Sequence, residues 1–404
     1  MVPTPLNSVG YIKQSLSYKM IQLYYAYSVF GFTFAFISVA VQFTMVNKYH
    51  FEPAENAYAW SIVSLPWVFK PIYALVSDRP LFGYRRSYIS AAAFLCGILL
   101  AYSPSIIVGK KSMVAVLTTC SFFICVADVG CDSMMVEFAK QQESIASMCW
   151  FARNLGVLLA TGMSGVAYTN MGFAPILRIT AIPVFILALF IWDLPEKRKK
   201  HIPITKVVTA ALATVRGMWR LMLFIAVANI TPELSSIIFY KLELTLTPMD
   251  ISVVALASAI TACAVSAVYQ CWRGIETAVI VSMWANILAT ATAFAIALGA
   301  PAFECAAVRN IFKAVAGMLL TLPIVVHTSK RCPEGSEGTT YSIVMSWMNL
   351  TNILSETIEG TVVNAVGITQ TNLGMMATFC FAATCIAFVP PVAFKLIGDV
   401  FDVS

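Results

Sequence analysis

The sequence predicts an all-α integral membrane protein of twelve membrane-spanning helices arranged as two six-helix bundles. Three observations carry this expectation. Hydrophobic residues make up 59% of the 404 and charged residues only 11%, whereas charged residues are about a quarter of a typical soluble chain. Apolar runs of about 20 residues, long enough to cross the hydrocarbon core, follow one another along nearly the whole chain. The breaks between them alternate between rich and poor in lysine and arginine, as the positive-inside rule requires.

The elements follow in order. Met1 to Lys19 is polar and reads as a tail. It has neither the apolar core and cleavage site of a signal peptide nor the Arg/Ser richness of a transit peptide. Six spans are expected near 21–45, 57–77, 88–108, 112–138, 144–168 and 174–193. Six more are expected near 219–242, 248–270, 275–298, 301–328, 337–361 and 372–397. The most charged break, from Asp193 through Lys197, Arg198, Lys199 and Lys200 to Lys206 and Arg216, divides the chain. The expected units are a bundle at 1–193, a basic cytoplasmic linker at 194–218 and a bundle at 219–404. Within the linker, 203–216 is too polar to span and reads as an amphipathic surface helix. With the amino terminus in the cytoplasm, 17 of the 26 lysines and arginines fall on the cytoplasmic side. Four (Lys48, Lys110, Lys111, Lys241) fall opposite, and five (Lys70, Arg153, Arg178, Arg309, Lys313) lie at membrane depth or near helix ends. That bias holds only for an even number of spans, so both termini are expected in the cytoplasm, with the plasma membrane as location.

Composition also excludes. The eleven cysteines are scattered without a CxxC pair and the three histidines stand far apart. No metal, disulfide framework or cofactor is expected. No HExxH, Gly-rich phosphate loop or GxSxG appears, so the chain does not read as an enzyme. A net charge of +6 suits loops beside anionic lipid and lacks the concentrated basic face of a nucleic-acid binder.

Ionisable residues at bilayer depth are costly and mark functional candidates. Asp128 and Asp132 are four apart and share a helix face. Two such carboxylates require either a shared proton or a nearby cation, and Lys70 and Arg153 are candidate cations. Arg309 and Lys313 share a face in the same way and form an expected opposite wall that receives an anionic group. Glu233 lies beside a span. Glu356 and Glu359 fall near the outer end of span eleven and read as solvated. Two readings stay open for these charges: they line a substrate cavity, or they only hold helices together, with Asp132 on Arg153 and Lys70 on the Asp78 loop. Trp67, Trp150 and Phe239 are candidate stacking faces.

The loop Ala74-Leu-Val-Ser-Asp78-Arg79-Pro-Leu-Phe-Gly83-Tyr84-Arg85-Arg86 resembles the signature loop of the major facilitator superfamily, with Ala74 where that superfamily has glycine. The resemblance implies a major-facilitator-type fold, two bundles rocking about a midplane site. It also implies a gating loop in Asp78, Arg79, Gly83, Arg85 and Arg86. Asp78 would cap or bridge a helix end, Gly83 permit the tight turn, and Arg85 and Arg86 anchor the cytoplasmic face. More narrowly, Leu65-Pro-Trp-Val-Phe-Lys70-Pro-Ile-Tyr73, Asp128-Val-Gly-Cys-Asp132 with Glu137, Arg153-Asn-Leu-Gly156, Thr231-Pro232 and Cys332-Pro-Glu-Gly-Ser-Glu-Gly-Thr339 with Ser346 and Asn349 resemble the folate–biopterin transporter family. That resemblance implies uptake of folate or a pterin by alternating access, with Asp128, Asp132, Arg153 and Lys70 as binding residues. Arg309 and Lys313 join them as substrate-binding candidates by their shared helix face, the buried carboxylates point to a proton-coupled symporter, and a monomer is expected. The divergence after Asn349, Leu-Thr-Asn-Ile-Leu-Ser in place of glycines, leaves three alternatives open. These are a carrier for another organic anion, a carrier for a nucleoside-like solute, and a membrane receptor that no longer transports.

Overall fold

The computed structural model describes residues 20–78, 83–142, 144–194, 196, 203–271 and 274–401. Arg79 of the expected gating loop lies outside them, as do Lys197, Arg198, Lys199 and Lys200 of the basic break.

Among the described residues every element is helical. Helix α1 (Ile21–Phe43) continues into a π-type turn at Thr44–Lys48. The second span is interrupted: α2 (Pro53–Ser64) passes into a 3₁₀ turn, Leu65–Phe69, and then α3 (Lys70–Ser77). Pro66 and Pro71 explain the interruption, because each removes a backbone donor and crowds the carbonyl four residues back. Helices α4 (Arg86–Ile106), α5 (Lys110–Ala139), α6 (Ser144–Met171) and α7 (Phe173–Phe190) complete the first set.

The second set begins with α8 (Ile204–Gly217) and α9 (Trp219–Ala228), whose axes bend by 68° at Met218. The amphipathic segment expected at 203–216 is therefore a helix turned away from the span that follows. Helix α10 (Ser235–Glu243) comes next, then α11 (Pro248–Cys271), α12 (Ile275–Ala297), α13 (Ala302–Arg331), α14 (Glu337–Val366), α15 (Met376–Ile386) and α16 (Val389–Ile397). The expectation of one continuous span over 219–242 needs correction. Helix geometry stops at Ala228 and resumes at Ser235, with Pro232 in the gap.

Nine helices among the described residues are long and apolar enough to cross a bilayer, or up to ten if the bent pair α8–α9 is one span. The 28-residue α6 and the 30-residue α14 fall outside that set. Their polar residues, Arg153 and Asn154 in one and Glu356 and Glu359 in the other, dilute the apolar run. These helices are long enough but not greasy enough, as expected where a helix faces a polar interior.

Helix α1 packs on α6, and α4 on α5 and α7; beyond Ile204, α13 packs on α11 and α12, and α12 on α15. The two sets meet through α6 against α11 and through α2 and α3 against α14. The α1–α6 crossing is a backbone contact. A Cβ at Gly31 would lie 2.0 Å from the Arg153 carbonyl oxygen, and one at Gly156 would lie 1.9 Å from that of Ser28. Small residues at such crossings let transmembrane helices approach closely.

Candidate functional site

The break in span two presents side chains and carbonyls to the interior. Lys70 is 3% exposed at the start of α3, and its ammonium donates to Asp128 Oδ2 at 2.5 Å and to Asp132 Oδ2 at 2.8 Å on α5. Arg153 Nη1 on α6 donates to Asp128 Oδ1 at 3.1 Å, and the Tyr27 hydroxyl on α1 donates to Asp132 Oδ1 at 2.6 Å. Each of the four carboxylate oxygens thus has a donor, and two cations face two anions. This is the arrangement a low-dielectric interior demands, since an unpaired charge there is far more costly. Arg153 pairs with Asp128 and not with Asp132, and Lys70 joins this cluster and not the Asp78 loop.

Trp67 forms a wall of the same space. The Lys70 ammonium lies 5.0 Å from its ring centre and the Arg153 guanidinium 5.7 Å, with Trp150 5.5 Å from Arg153 on the other side. Because the 3₁₀ turn leaves backbone acceptors free, the Trp67 carbonyl accepts from Ser346 Oγ and Asn349 Nδ2 of α14, both at 3.3 Å. These groups bound a chamber of about 270 Å³ closed on the α14 side by Met345, Asn349, Asn352, Ile353 and Glu356. Phe239 is not part of it; its ring packs edge-on against Phe43, 5.4 Å between centres.

Asn352 and Glu356 also line a second chamber of about 290 Å³, together with Asn286 and Lys313. A third, of about 90 Å³, shares Asn352 and Lys313 with the second and adds Arg309. Arg309 and Lys313 both reach Glu233: Lys313 forms an ion pair with Glu233 Oε1, and Arg309 Nη2 lies 3.8 Å from that oxygen. Ser235 Oγ donates to Glu233 Oε1 at 2.5 Å. The broken backbone at Pro232 is what brings Glu233 here, non-helical chain being tolerated at membrane depth only where it lines a cavity or is buried in protein.

Two expectations about acids and bases change. Glu359 is fully buried, its Oε1 accepting the Ile237 N–H of α10 at 3.3 Å, and Glu356 lines two chambers. Neither is a solvated helix-end residue, because α14 runs on to Val366, nearly two turns past Glu359. Arg85 is likewise not a surface anchor. It is 1% exposed and donates to Asp78 Oδ1 and Glu137 Oε2, each at 2.9 Å.

Asp78, also buried, accepts from the Gly338 N–H at 3.1 Å and from both the N–H and Oγ1 of Thr339 at 2.8 Å. An aspartate from the first set of helices thus closes the amino-terminal end of α14, where the unpaired N–H groups and helix dipole favour an anion. Lys140 adds a 2.9 Å pair to Glu337 beside it. Gly83 has φ +78°, a left-handed conformation that suits glycine. Arg86 donates to the Trp192 carbonyl at 2.8 Å and lies over the Tyr84 ring. At the opposite end, Tyr240 donates to the Phe51 carbonyl, and Gln370 N–H reaches Glu52 Oε2 at 2.8 Å. The two sets of helices therefore touch at both ends of the chambers.

Tyr27, Asn352 and Glu359 were not singled out for these positions from sequence. A tyrosine in the apolar α1 run gives no signal of the carboxylate it serves. Asn352 sits among polar residues of a helix whose register against the cavity only the packing fixes.

Known proteins resemble this chain along most of its length. The model of the BT1 family matches residues 31–399. The folate-biopterin transporter of Synechocystis sp. is 24% identical over 92% of this chain and 79% of its own. Folate transporter 1 of Plasmodium falciparum is 22% identical over 89% of this chain and 75% of its own. The solved structure of the nucleoside transporter NupG superposes with a TM-score of 0.66 at 17% identity, covering 93% of this chain and 99% of that one. The major facilitator proton:xylose symporter XylE gives a TM-score of 0.66 at 14% identity, covering 93% of each chain. The fold is thus of the major facilitator type, as expected from the Asp78 loop. With a match that takes in the Lys70 turn, the α5 carboxylates and the capped end of α14, this chain belongs to the BT1 family.

Proposed function

We propose that this protein takes up folate or a related pterin across the bilayer by alternating access, coupled to protons. The observation that carries the reading is the first chamber. Two carboxylates and two cations lie between indole faces, at the seam where helices from the two parts of the chain meet. A pterin offers a ring N–H beside an exocyclic amine, a donor pair that a carboxylate accepts in two-pronged fashion. Asp128 or Asp132 supplies that acceptor once a cation moves aside, and Trp67 and Trp150 supply faces for a fused ring. The glutamate tail of a folate would extend past Asn352 toward Lys313 and Arg309. Relatives named as folate and folate-biopterin carriers support the same substrate class.

The carrier is read as two six-helix units, 1–193 and 219–404, joined by 194–218. It acts as a monomer in the plasma membrane with both termini in the cytoplasm. Asp132→Asn and Arg153→Ala should each abolish uptake of labelled folic acid and biopterin in a folate-requiring host while the protein still reaches the membrane. Normal uptake in both variants would move the site elsewhere. Failure of the wild type to accumulate either compound above an empty-vector control would remove the substrate assignment.

A further inference from the structure

The charges on the two sides of the cavity system do not balance alike. In the first chamber Lys70 and Arg153 match Asp128 and Asp132, and every carboxylate oxygen has a donor. On the other side Arg309 and Lys313 face three carboxylates, Glu233, Glu356 and Glu359. Both cations are drawn to Glu233, leaving no cation at ion-pair distance from Glu356 or Glu359 among the described residues. Glu359 has no exposed surface. Its Oε1 accepts one backbone N–H, while Oε2 is buried with no hydrogen-bond partner; Glu356 Oε2 is unpartnered too, but Glu356 is half-buried and borders the chambers, whereas Glu359 is sealed from them. Its partner Ile237 belongs, with Leu234, Val363 and Cys380, to an apolar cluster.

We propose that Glu359 is the residue that carries the transported proton. One proton on this carboxyl brings two cations and three acids to neutrality, whereas the cluster of Lys70, Arg153, Asp128 and Asp132 is neutral without one. Isolated charge in a dry interior is costly enough that such a site exchanges a proton in preference to standing ionised and alone. The groups that face it fix how the exchange couples to movement. Arg309 and Lys313 come from α13, Glu233 and the Ile237 N–H from the α10 end, Glu356 from its own helix and Cys380 from α15. With Glu359 neutral, both cations rest on Glu233. When it loses the proton, Arg309 gains a second anion to serve, which loosens Glu233 and the amino-terminal end of α10. Glu356 stands three residues away on the same helix face and lines both larger chambers, so it marks the way in from water. The inference rests on the carrier reading above but not on the identity of the solute.

The test uses the purified full-length chain in lipid, without solute. Infrared difference spectra between near-neutral and alkaline buffer, both above the range in which exposed carboxylates titrate, should contain a protonated-carboxyl C=O band. That band should vanish in Glu359→Gln and persist in Glu304→Gln, an exposed residue at the start of α13, and in Asp132→Asn. A band that survives Glu359→Gln, or disappears in Asp132→Asn, overturns the proposal. If Glu359→Gln is not recovered folded, carboxyl-¹³C labelling of the wild type decides. A shift with labelled glutamate that remains in Glu356→Gln supports Glu359; a shift only with labelled aspartate overturns it. In proteoliposomes, Glu359→Gln should lose accumulation of labelled folic acid driven by a pH gradient while keeping exchange at equal pH. Loss of both, with the band intact, would mean a merely structural cap on α10 and count against the proposal. Absence of folic acid and biopterin transport in the wild type would overturn the substrate reading alone, with the infrared result still deciding on Glu359.

Discussion

Gly156→Ala should damage this protein well beyond what one methyl group suggests. The added Cβ would sit 1.9 Å from the Ser28 carbonyl oxygen and 3.0 Å from its Cα. Ordinary carbon–oxygen contact is about 3.4 Å, so α1 and α6 must part by roughly 1.5 Å, and neither backbone can yield as a flexible side chain would. The Arg153 carbonyl, under Gly31 on the same crossing, moves with α6, and its guanidinium then leaves the 3.1 Å contact with Asp128. Overpacking of this kind costs about 1–3 kcal/mol, before any loss of the ion pair. Thermal unfolding of the purified variant should show a clearly lowered midpoint, and folic acid uptake should fall. Gly162→Ala on the same helix is the control, because its Cβ would meet only Leu256 Cδ1 at an ordinary 3.6 Å. There the expected change is neutral, or a gain of up to about 1 kcal/mol from helix propensity. Equal midpoints for Gly156→Ala and Gly162→Ala would refute the close crossing.

Three further outcomes are expected. Lys70→Gln leaves Asp128 and Asp132 with Arg153 as their one cation. It should destabilise by about 3–5 kcal/mol, as removal of one partner from a buried pair does, and adding Asp132→Asn should restore thermal stability without restoring uptake. Asp78→Asn keeps one acceptor oxygen but loses the charge facing Arg85 and the end of α14. Initial-rate kinetics should show a changed maximal rate with a smaller change in KM, and a KM effect as large as that of Asp132→Asn would contradict a gate role. Folic acid or biopterin at about 100 times its dissociation constant should stabilise the purified protein by roughly 2.7 kcal/mol through mass action, and a flat melting curve for both would count against the substrate class.

Much of this was legible in the sequence, for a physical reason. Long apolar runs admit few folded forms in a bilayer, so hydropathy located most helices, and intramembrane charge drew attention to Lys70, Asp128, Asp132 and Arg153 before any contact was known. Partner choice was less accessible. Whether Arg153 reaches Asp128 or Asp132 depends on the rotation of α6 against α5, which tertiary packing sets and linear spacing does not. Pro232 was visible within a predicted span, yet only the structure shows that the chain stays non-helical to Ser235 and delivers Glu233 to the cations. Glu359 reads as solvated because it lies near the expected end of span eleven, yet α14 continues to Val366 and buries it. A helix that outlasts its apolar run buries such a residue without changing the local pattern.

Helix α14 is held at three points, in the way a lever is. Near its middle, Ser346 and Asn349 rest on the Trp67 carbonyl, while Gly338 and Thr339 meet Asp78 at one end and Thr361 meets Tyr58 at the other at 3.2 Å. At 1.5 Å per residue the two arms are about 15 Å and 20 Å long. A tilt of about 10° about that fulcrum would swing the ends in opposite directions by roughly 2.6 and 3.5 Å, lengths scaled from the same rise per residue. The first displacement is enough to pull both backbone N–H groups off Asp78, and the second presses the far end toward α2. Such a tilt would make opening of one entrance and shutting of the other the same movement.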